Sequence, residues 1–285
     1  MNFLDSRAYV TTLISEGQNV EGVTTDLISM GWHRSSAQRI VKDALDGGPV
    51  RRPLKIGPDL EKLPSTVALE GVEAQVQMRM HLPNICILSN FVTAQECEKL
   101  IETARPRLAR SLVILGDGEI DEEGVSAYSR TSEQMSFTPG DFDLIDQIMR
   151  RATQFANWSL DCVESPQVIR YGVGADFAPH HDYFCPRVHA DMVAREGQRV
   201  GTVIIYLNTP ETGGVTAFPD VELEIYPQQG NALFFMYPYP DPDSLTLHAG
   251  VPLGSGEKWI ATFFFRDKVV KRDKASCNAD EPGIV

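Results

Sequence analysis

The chain has no run of about 18 consecutive apolar residues, so no segment reads as a membrane-spanning helix. Residues 1–17 carry neither a basic start nor an unbroken apolar stretch, and no export signal is read there. Cysteine is scarce. Cys86, Cys97, Cys162, Cys185 and Cys277 make an odd set of five, with no Cys-x-x-Cys pair among them. That spacing argues against a disulfide framework, a structural zinc site and a redox dithiol, and it fits small buried hydrophobes in a reducing compartment. Positive charge is also short: 26 Lys and Arg stand against 39 Asp and Glu, a net charge of −13 that repels phosphate backbones and anionic lipid. The expectation is a cytoplasmic protein with neither a nucleic-acid partner nor a membrane association.

The 285 residues are 42% hydrophobic and 23% charged, an ordinary globular balance with no internal repeat. Three short helical patterns open the chain. Tyr9, Val10, Leu13 and Ile14 mark the first, and Val23, Leu27, Ile28 and Met30 the second, with Gly17 and Gly31 as stops. Ala37, Ile40, Val41, Ala44 and Leu45, after Ser35 and Ser36, form a single apolar stripe for the third. This small helical module either caps the main domain or binds a partner. Asp46 to Pro53, with Gly57 and Pro58, combines helix breakers with local positive charge and reads as a linker. The expected division is therefore 1–60 for module and linker and 61–285 for the main domain, with a frayed polar tail from Arg272.

Two helices then precede a change of period. Thr93-Ala94-Gln95-Glu96 is a capping box continued by Cys97, Leu100, Ile101 and Ala104; Phe142, Ile145, Ile148, Met149 and Ala152 give another helix opening near Pro139. After these, Gln167–Tyr171, Thr202–Leu207, Val221–Tyr226, Ala232–Met236 and Trp259–Phe265 are short runs of β-branched and aromatic residues between Gly, Pro and Asn turns. They predict an α+β fold with an antiparallel sandwich or jelly-roll core and helices on one side.

Six histidines are present, and two of them sit in His180-His181-Asp182. On an extended strand the side chains of His180 and Asp182 point the same way, so both can reach one metal ion. His248, 66 residues after Asp182, is a third candidate ligand. Two imidazoles and one carboxylate leave adjacent coordination positions open, the donor set of non-haem Fe(II) oxygenases. Lys258 stands ten residues beyond His248, just before a strand. If it faces the interior it requires an anion opposite, because a buried unpaired cation costs several kcal/mol or loses its proton.

From about Asn84 to Lys268 the chain resembles the catalytic domains of prolyl 4-hydroxylases, members of the Fe(II) and 2-oxoglutarate dependent dioxygenases. The resemblance runs through ordered blocks. They are 85–108, Ser129-Arg130-Thr131-Ser132, 168–174, 178–184, 202–208, 213–219 and 246–259. It implies a double-stranded β-helix with His180, Asp182 and His248 as iron ligands and Lys258 as the partner of the distal carboxylate of 2-oxoglutarate. Tyr171 and Tyr206 are implied beside that co-substrate, and Arg130 and Ser132 beside a peptide groove. The cofactors implied are Fe(II), 2-oxoglutarate and O₂, with ascorbate as an optional reductant. The implied reaction is 4-hydroxylation of a prolyl residue with release of succinate and CO₂. A free amino acid or other small molecule is the alternative substrate, and a catalytically silent iron-binding scaffold the alternative of another class. No oligomeric state is implied.

One departure is the family's Gly-Gly-Glu-Thr, here Gly213-Gly214-Val215-Thr216. Related halogenases place a small residue at the carboxylate position, whereas Asp182 is kept, which favours hydroxylation. Other conspicuous residues have plainer roles. His181 faces away from the ligands as a scaffold or rim residue, and His33, His81 and His189 lack ligand spacing. Phe234, Phe235, Tyr237 and Tyr239 read as core and loop packing. The acidic run from Asp117 to Glu123 reads as a solvated loop or a lid.

Overall fold

The computed structural model describes residues 3–32, 34–45, 57–59, 62–111, 131–185, 189–237 and 242–270. Most of the expected linker, the acidic run from Asp117 to Glu123, Arg130, His33, Tyr239 and the tail from Arg272 lie outside them. The chain divides into two compact units, Met1–Pro53 and Leu54–Val285.

The first unit holds α1 (Phe3–Ser15), α2 (Val20–Ser29) and α3 (Arg34–Leu45). Val10, Val23, Leu27, Ala37, Ile40 and Val41 form its core, so the apolar stripes read from the sequence are the buried faces. Asn19 caps α2 by accepting from the Gly22 amide at 2.7 Å. The third helix starts at Arg34, so Ser35 and Ser36 lie within its first turn rather than before it.

The second unit is built on strands β1 (Thr66–Leu69), β2 (Val72–Met80), β3 (Asn84–Ser89), β4 (Ala109–Arg110), β5 (Glu133–Ser136), β6 (Gln167–Tyr171), β7 (Phe177–His180), β8 (Arg199–Tyr206), β9 (Thr212–Gly213), β10 (Thr216–Phe218), β11 (Leu223–Ile225), β12 (Ala232–Met236), β13 (His248–Gly250), β14 (Leu253–Ser255) and β15 (Lys258–Arg266). Its helices are α4 (Ala94–Ala104), α5 (Asp143–Ala156) and α6 (Ala190–Glu196). A nine-stranded antiparallel sheet runs β1-β2-β3-β12-β8-β15-β6-β5-β4, and a four-stranded sheet runs β11-β10-β13-β7. The fold is the expected α+β jelly roll.

Alternation along the strands sorts the large sheet into two faces. Trp259, Ala261, Phe263 and Phe265 of β15, with Val203 and Ile205 of β8, pack in one core with Leu100 of α4 and Ile145, Ile148 and Phe155 of α5. Ile260 of β15, Ile204 and Tyr206 of β8, Ile169 and Tyr171 of β6 and Phe235 of β12 belong to a second core on the other face, which the small sheet covers in part with Phe218 and Ile225. A one-residue slip of β15 would exchange the two sets and turn Lys258 from the cavity face into the helix-covered core.

Two charged side chains tie the helices down. Arg151 of α5 is fully buried and donates to Glu96 at 2.9 and 3.1 Å, to the Phe91 carbonyl at 2.7 Å and to the Glu70 carbonyl at 2.9 Å. Glu96 is also the fourth residue of the capping box, accepting from the Thr93 amide at 2.7 Å, so one carboxylate both starts α4 and anchors α5. Two sequence expectations are shortened. α5 opens at Asp143 rather than near Pro139, and the strand expected over 221–226 is only Leu223–Ile225, because Glu222 takes a left-handed φ of 53°.

Candidate active site

Pairing of the small sheet brings distant histidines together. His180 ends β7, His248 opens β13, and these residues are directly opposite in the antiparallel register. Their ring centroids are 4.2 Å apart. Asp182 lies in the turn just past β7 rather than on the strand, yet its Oδ1 is 3.5 Å from His180 Nε2 and its Oδ2 is 3.6 Å from His248 Nε2. One ligand atom from each residue falls within 4.8 Å of the others, and no other group of three such residues occurs among the described residues.

The chemistry of this donor set fits a ferrous ion. His180 Nδ1 is 2.9 Å from the Ala178 carbonyl and His248 Nδ1 is 3.0 Å from the Thr246 carbonyl. A carbonyl only accepts, so each Nδ1 carries the proton and each Nε2 presents a lone pair toward Asp182. Burial lowers the His248 pKa to about 4, which keeps that imidazole neutral. For Asp182 burial works the other way but is outweighed by His248, His180 and Arg199, so its carboxyl stays well below the usual range. Ligands about 2.1 Å from one ion in adjacent positions are about 3 Å apart, a small side-chain rotation from the separations seen. Aromatic rings hold both imidazoles: Phe177 stacks on His180 at 3.7 Å, and Phe235 meets His248 edge-on at 4.8 Å.

The same cavity contains Lys258. It opens β15, pairs in register with Tyr171 of β6 and is 3% exposed. No acidic side chain among the described residues pairs with it. Its ammonium lies 5.3 Å from the Tyr171 ring and 5.9 Å from the Tyr206 ring, and burial lowers its pKa to about 8. The cavity, partly open to solvent, lies between Lys258 and the His180, Asp182 and His248 cluster; Ile169, Ile204, Ile260 and Phe264 give it apolar walls. Gly214, at φ +68°, makes room for the lysine stem, since a Cβ there would come within 3.2 Å of Lys258 Cδ. Asn208 clamps the backbone on both sides of the lysine, donating to the Glu257 carbonyl at 2.6 Å and accepting from the Trp259 amide at 2.7 Å.

The structure thus brings together His180, Asp182, His248, Lys258 and Tyr171 around one cavity. Tyr206 lies just beneath it, fully buried, with its hydroxyl donating to Thr216 at 2.9 Å. Ser132 is 2% exposed, its hydroxyl is 2.9 Å from that of Ser111, and it is not among the residues lining this cavity. Arg130 lies outside the described residues. Val215, in place of the family acid, is buried. His181 stacks on Tyr183 at 4.6 Å, off the metal cluster, and Phe234, Phe235 and Tyr237 are core residues as expected. Sequence reasoning missed Phe177, Gln167, Thr262 and Thr216 on the cavity wall, and Thr202 and Arg199 beneath Asp182. The even-numbered alternation of β15 from Lys258 marks Thr262 in the sequence; nothing local marks the others.

Residues 166–266, which include all three cluster residues and Lys258, match the model of the 2OG-Fe(II) oxygenase superfamily. Prolyl 4-hydroxylase 13 of Arabidopsis thaliana is 33% identical over 206 residues, covering 65% of this chain and 72% of the relative. Prolyl 4-hydroxylase 2 of the same plant is 30% identical over 245 residues, covering 76% and 79%. Among solved structures, the viral collagen prolyl hydroxylase of Paramecium Bursaria Chlorella virus-1, in its 2OG complex, is 32% identical over 64% of this chain and 95% of that one, with a TM-score of 0.49. With a dioxygenase donor set and a buried cation on one cavity, and with relatives matched over most of their length, the chain belongs to the prolyl 4-hydroxylase family of 2-oxoglutarate-dependent Fe(II) oxygenases.

Proposed function

We propose that this protein 4-hydroxylates prolyl residues in a peptide or protein, using Fe(II), 2-oxoglutarate and O₂. The observation that carries the reading is the buried Lys258, with no acidic partner among the described residues, facing the same cavity as His180, Asp182 and His248. An interior cation without a counter-ion is costly, and a dicarboxylate co-substrate supplies the missing anion. Relatives named prolyl 4-hydroxylases support proline as the target.

His180 and His248 Nε2 with Asp182 would hold the metal, and Lys258 would pair with the far carboxylate of 2-oxoglutarate. Ferrous iron at this site supplies the reduction of O₂ at the expense of 2-oxoglutarate, giving succinate and CO₂ and placing one oxygen atom in a substrate C–H bond. This chain's residues do the positioning. Lys258, its backbone clamped by Asn208, fixes one end of the co-substrate, while Ile169, Ile204 and Ile260 exclude water along its length. Phe177, stacked on His180 at the cavity wall, offers an apolar surface suited to a pyrrolidine ring. The net charge of −13 favours a partner other than a polyanion, and the reduced thiols of Cys86, Cys97 and Cys185 favour a cytoplasmic site of action.

Mass spectrometry of proline-containing peptides incubated with the protein, Fe(II) and 2-oxoglutarate tests this. A gain of one oxygen atom on proline, matched by succinate, supports it. Oxygen gained only by free amino acids would transfer the reading to a small-molecule hydroxylase, and succinate no higher than with His180→Ala would favour the silent scaffold.

A further inference from the structure

Beneath the metal cluster, three buried polar groups form a chain whose proton order is determined. Thr202, on β8 and fully buried, donates its hydroxyl to Asp182 Oδ2 at 2.7 Å. The Tyr237 hydroxyl, 1% exposed, lies 2.7 Å from the Thr202 oxygen. A threonine has one hydroxyl proton, and here it is committed to a carboxylate that only accepts, so Tyr237 must donate to Thr202. Both hydroxyls are out of reach of competing water, which makes the chain stronger and more directional than the same groups on a surface. A second arm holds the backbone of the same residue: Arg199 Nη1 donates to the Asp182 carbonyl at 3.3 Å, and Arg199 is itself fixed by two bonds to Glu164 at 2.7 and 2.8 Å.

We infer that Thr202, backed by Tyr237, is a positioning residue that occupies Oδ2 of Asp182 and thereby reserves Oδ1 for the metal. This rests on the reading of His180, Asp182 and His248 as ligands. Its consequence concerns coordination count. An aspartate binding through both oxygens would give four protein donors and leave two positions, too few for a chelating 2-oxo acid and O₂ together. With one oxygen held by Thr202 the protein supplies three donors and leaves three positions open. Thr202 is aimed correctly because it faces the cavity side of β8, two residues before Ile204, and is paired with Phe235 of β12, which sets Tyr237 diagonally beside it.

The test is a Co(II) titration of the intact chain, read by ligand-field absorbance, followed by 2-oxoglutarate titration of the Co(II)-loaded protein. Wild type should bind one equivalent of Co(II), and His180→Ala should not. Thr202→Val, which keeps the shape and removes the hydroxyl, should weaken Co(II) affinity about 10- to 100-fold and alter the ligand-field spectrum. Thr202→Ser should restore both to within about 2-fold, and Tyr237→Phe should lose less than Thr202→Val because the Thr202 donor remains. Should Thr202→Val not fold, Thr202→Ala, which also removes the hydroxyl, carries the same expectations and decides the matter. A merely structural role would lower the melting temperature while leaving Co(II) affinity and spectrum unchanged, and that result overturns the inference while leaving the ligand assignment intact. Wild type that takes up no Co(II) overturns both.

Discussion

Replacing Lys258 by methionine should make the ligand-free protein more stable while destroying its affinity for 2-oxoglutarate. The lysine is 3% exposed, lacks an acidic partner among the described residues, and has its pKa lowered from 10.5 to about 8 by burial alone. That fall corresponds to about 3 kcal/mol of penalty on the charged form at neutral pH. The ring contacts with Tyr171 and Tyr206 offset part of it, about 1 kcal/mol, so the expected net gain for Lys258→Met is about 1 to 3 kcal/mol. For a domain of this size that is a rise of roughly 3 to 10 °C in melting temperature. The sign with pH follows from a base whose folded pKa is depressed. The penalty is full below about 8 and fades as pH rises toward 10.5, so the advantage of the variant should shrink to under about 1 kcal/mol near pH 10. Thermal melts at pH 7 to 10, with Mn(II) and with or without 2-oxoglutarate, provide the assay. The co-substrate should raise the wild-type melting temperature and leave that of Lys258→Met unmoved. A variant no more stable than wild type at pH 7, and still stabilised by 2-oxoglutarate, would refute the reasoning.

Other outcomes follow from the same geometry. Because the charged form of Lys258 is the one that binds a carboxylate, 2-oxoglutarate affinity should be flat below about pH 8 and weaken roughly tenfold per pH unit above it, measurable by calorimetry. His248→Ala should abolish stoichiometric Mn(II) binding and succinate formation while leaving the far-UV circular dichroism unchanged. Arg151→Met strips the Glu96 carboxylate and the Phe91 and Glu70 carbonyls of their buried donor, and should cost about 3 kcal/mol in denaturant unfolding with KM for 2-oxoglutarate unaltered. Ser132→Ala should cost about 1 kcal/mol and leave peptide KM within twofold, since its hydroxyl meets Ser111 rather than the cavity.

The parts of this protein legible in its sequence are those whose cause is local. The capping box at Thr93 states where α4 begins, because both reciprocal bonds lie within four residues. The β-branched and aromatic runs mark β6, β8, β12 and β15 because these strands are buried on both faces. Of the small sheet only β11 is marked in the sequence, within 221–226: β7, β10 and β13 are three or four residues each, too short to display a period, although two of them carry the clustered histidines. β2 was missed for another reason, since Glu, Gln and Arg between its apolar residues dilute a face that is only half-buried. At the site, His180, Asp182, His248 and Lys258 were found through motif and family resemblance. Thr202, Tyr237 and Arg199 were not, because their meaning is a contact with Asp182 created by the pairing of β8 with β12 and by the path of the chain after β7.

The central claim is that one ion and one dicarboxylate occupy the two ends of this cavity. A crystal grown anaerobically with Mn(II) and 2-oxoglutarate, analysed by anomalous scattering, measures it directly. The account predicts a single anomalous peak bonded to His180 Nε2, Asp182 Oδ1 and His248 Nε2, with the far carboxylate of 2-oxoglutarate against Lys258 Nζ. A peak elsewhere, or a carboxylate turned away from Lys258, would contradict it.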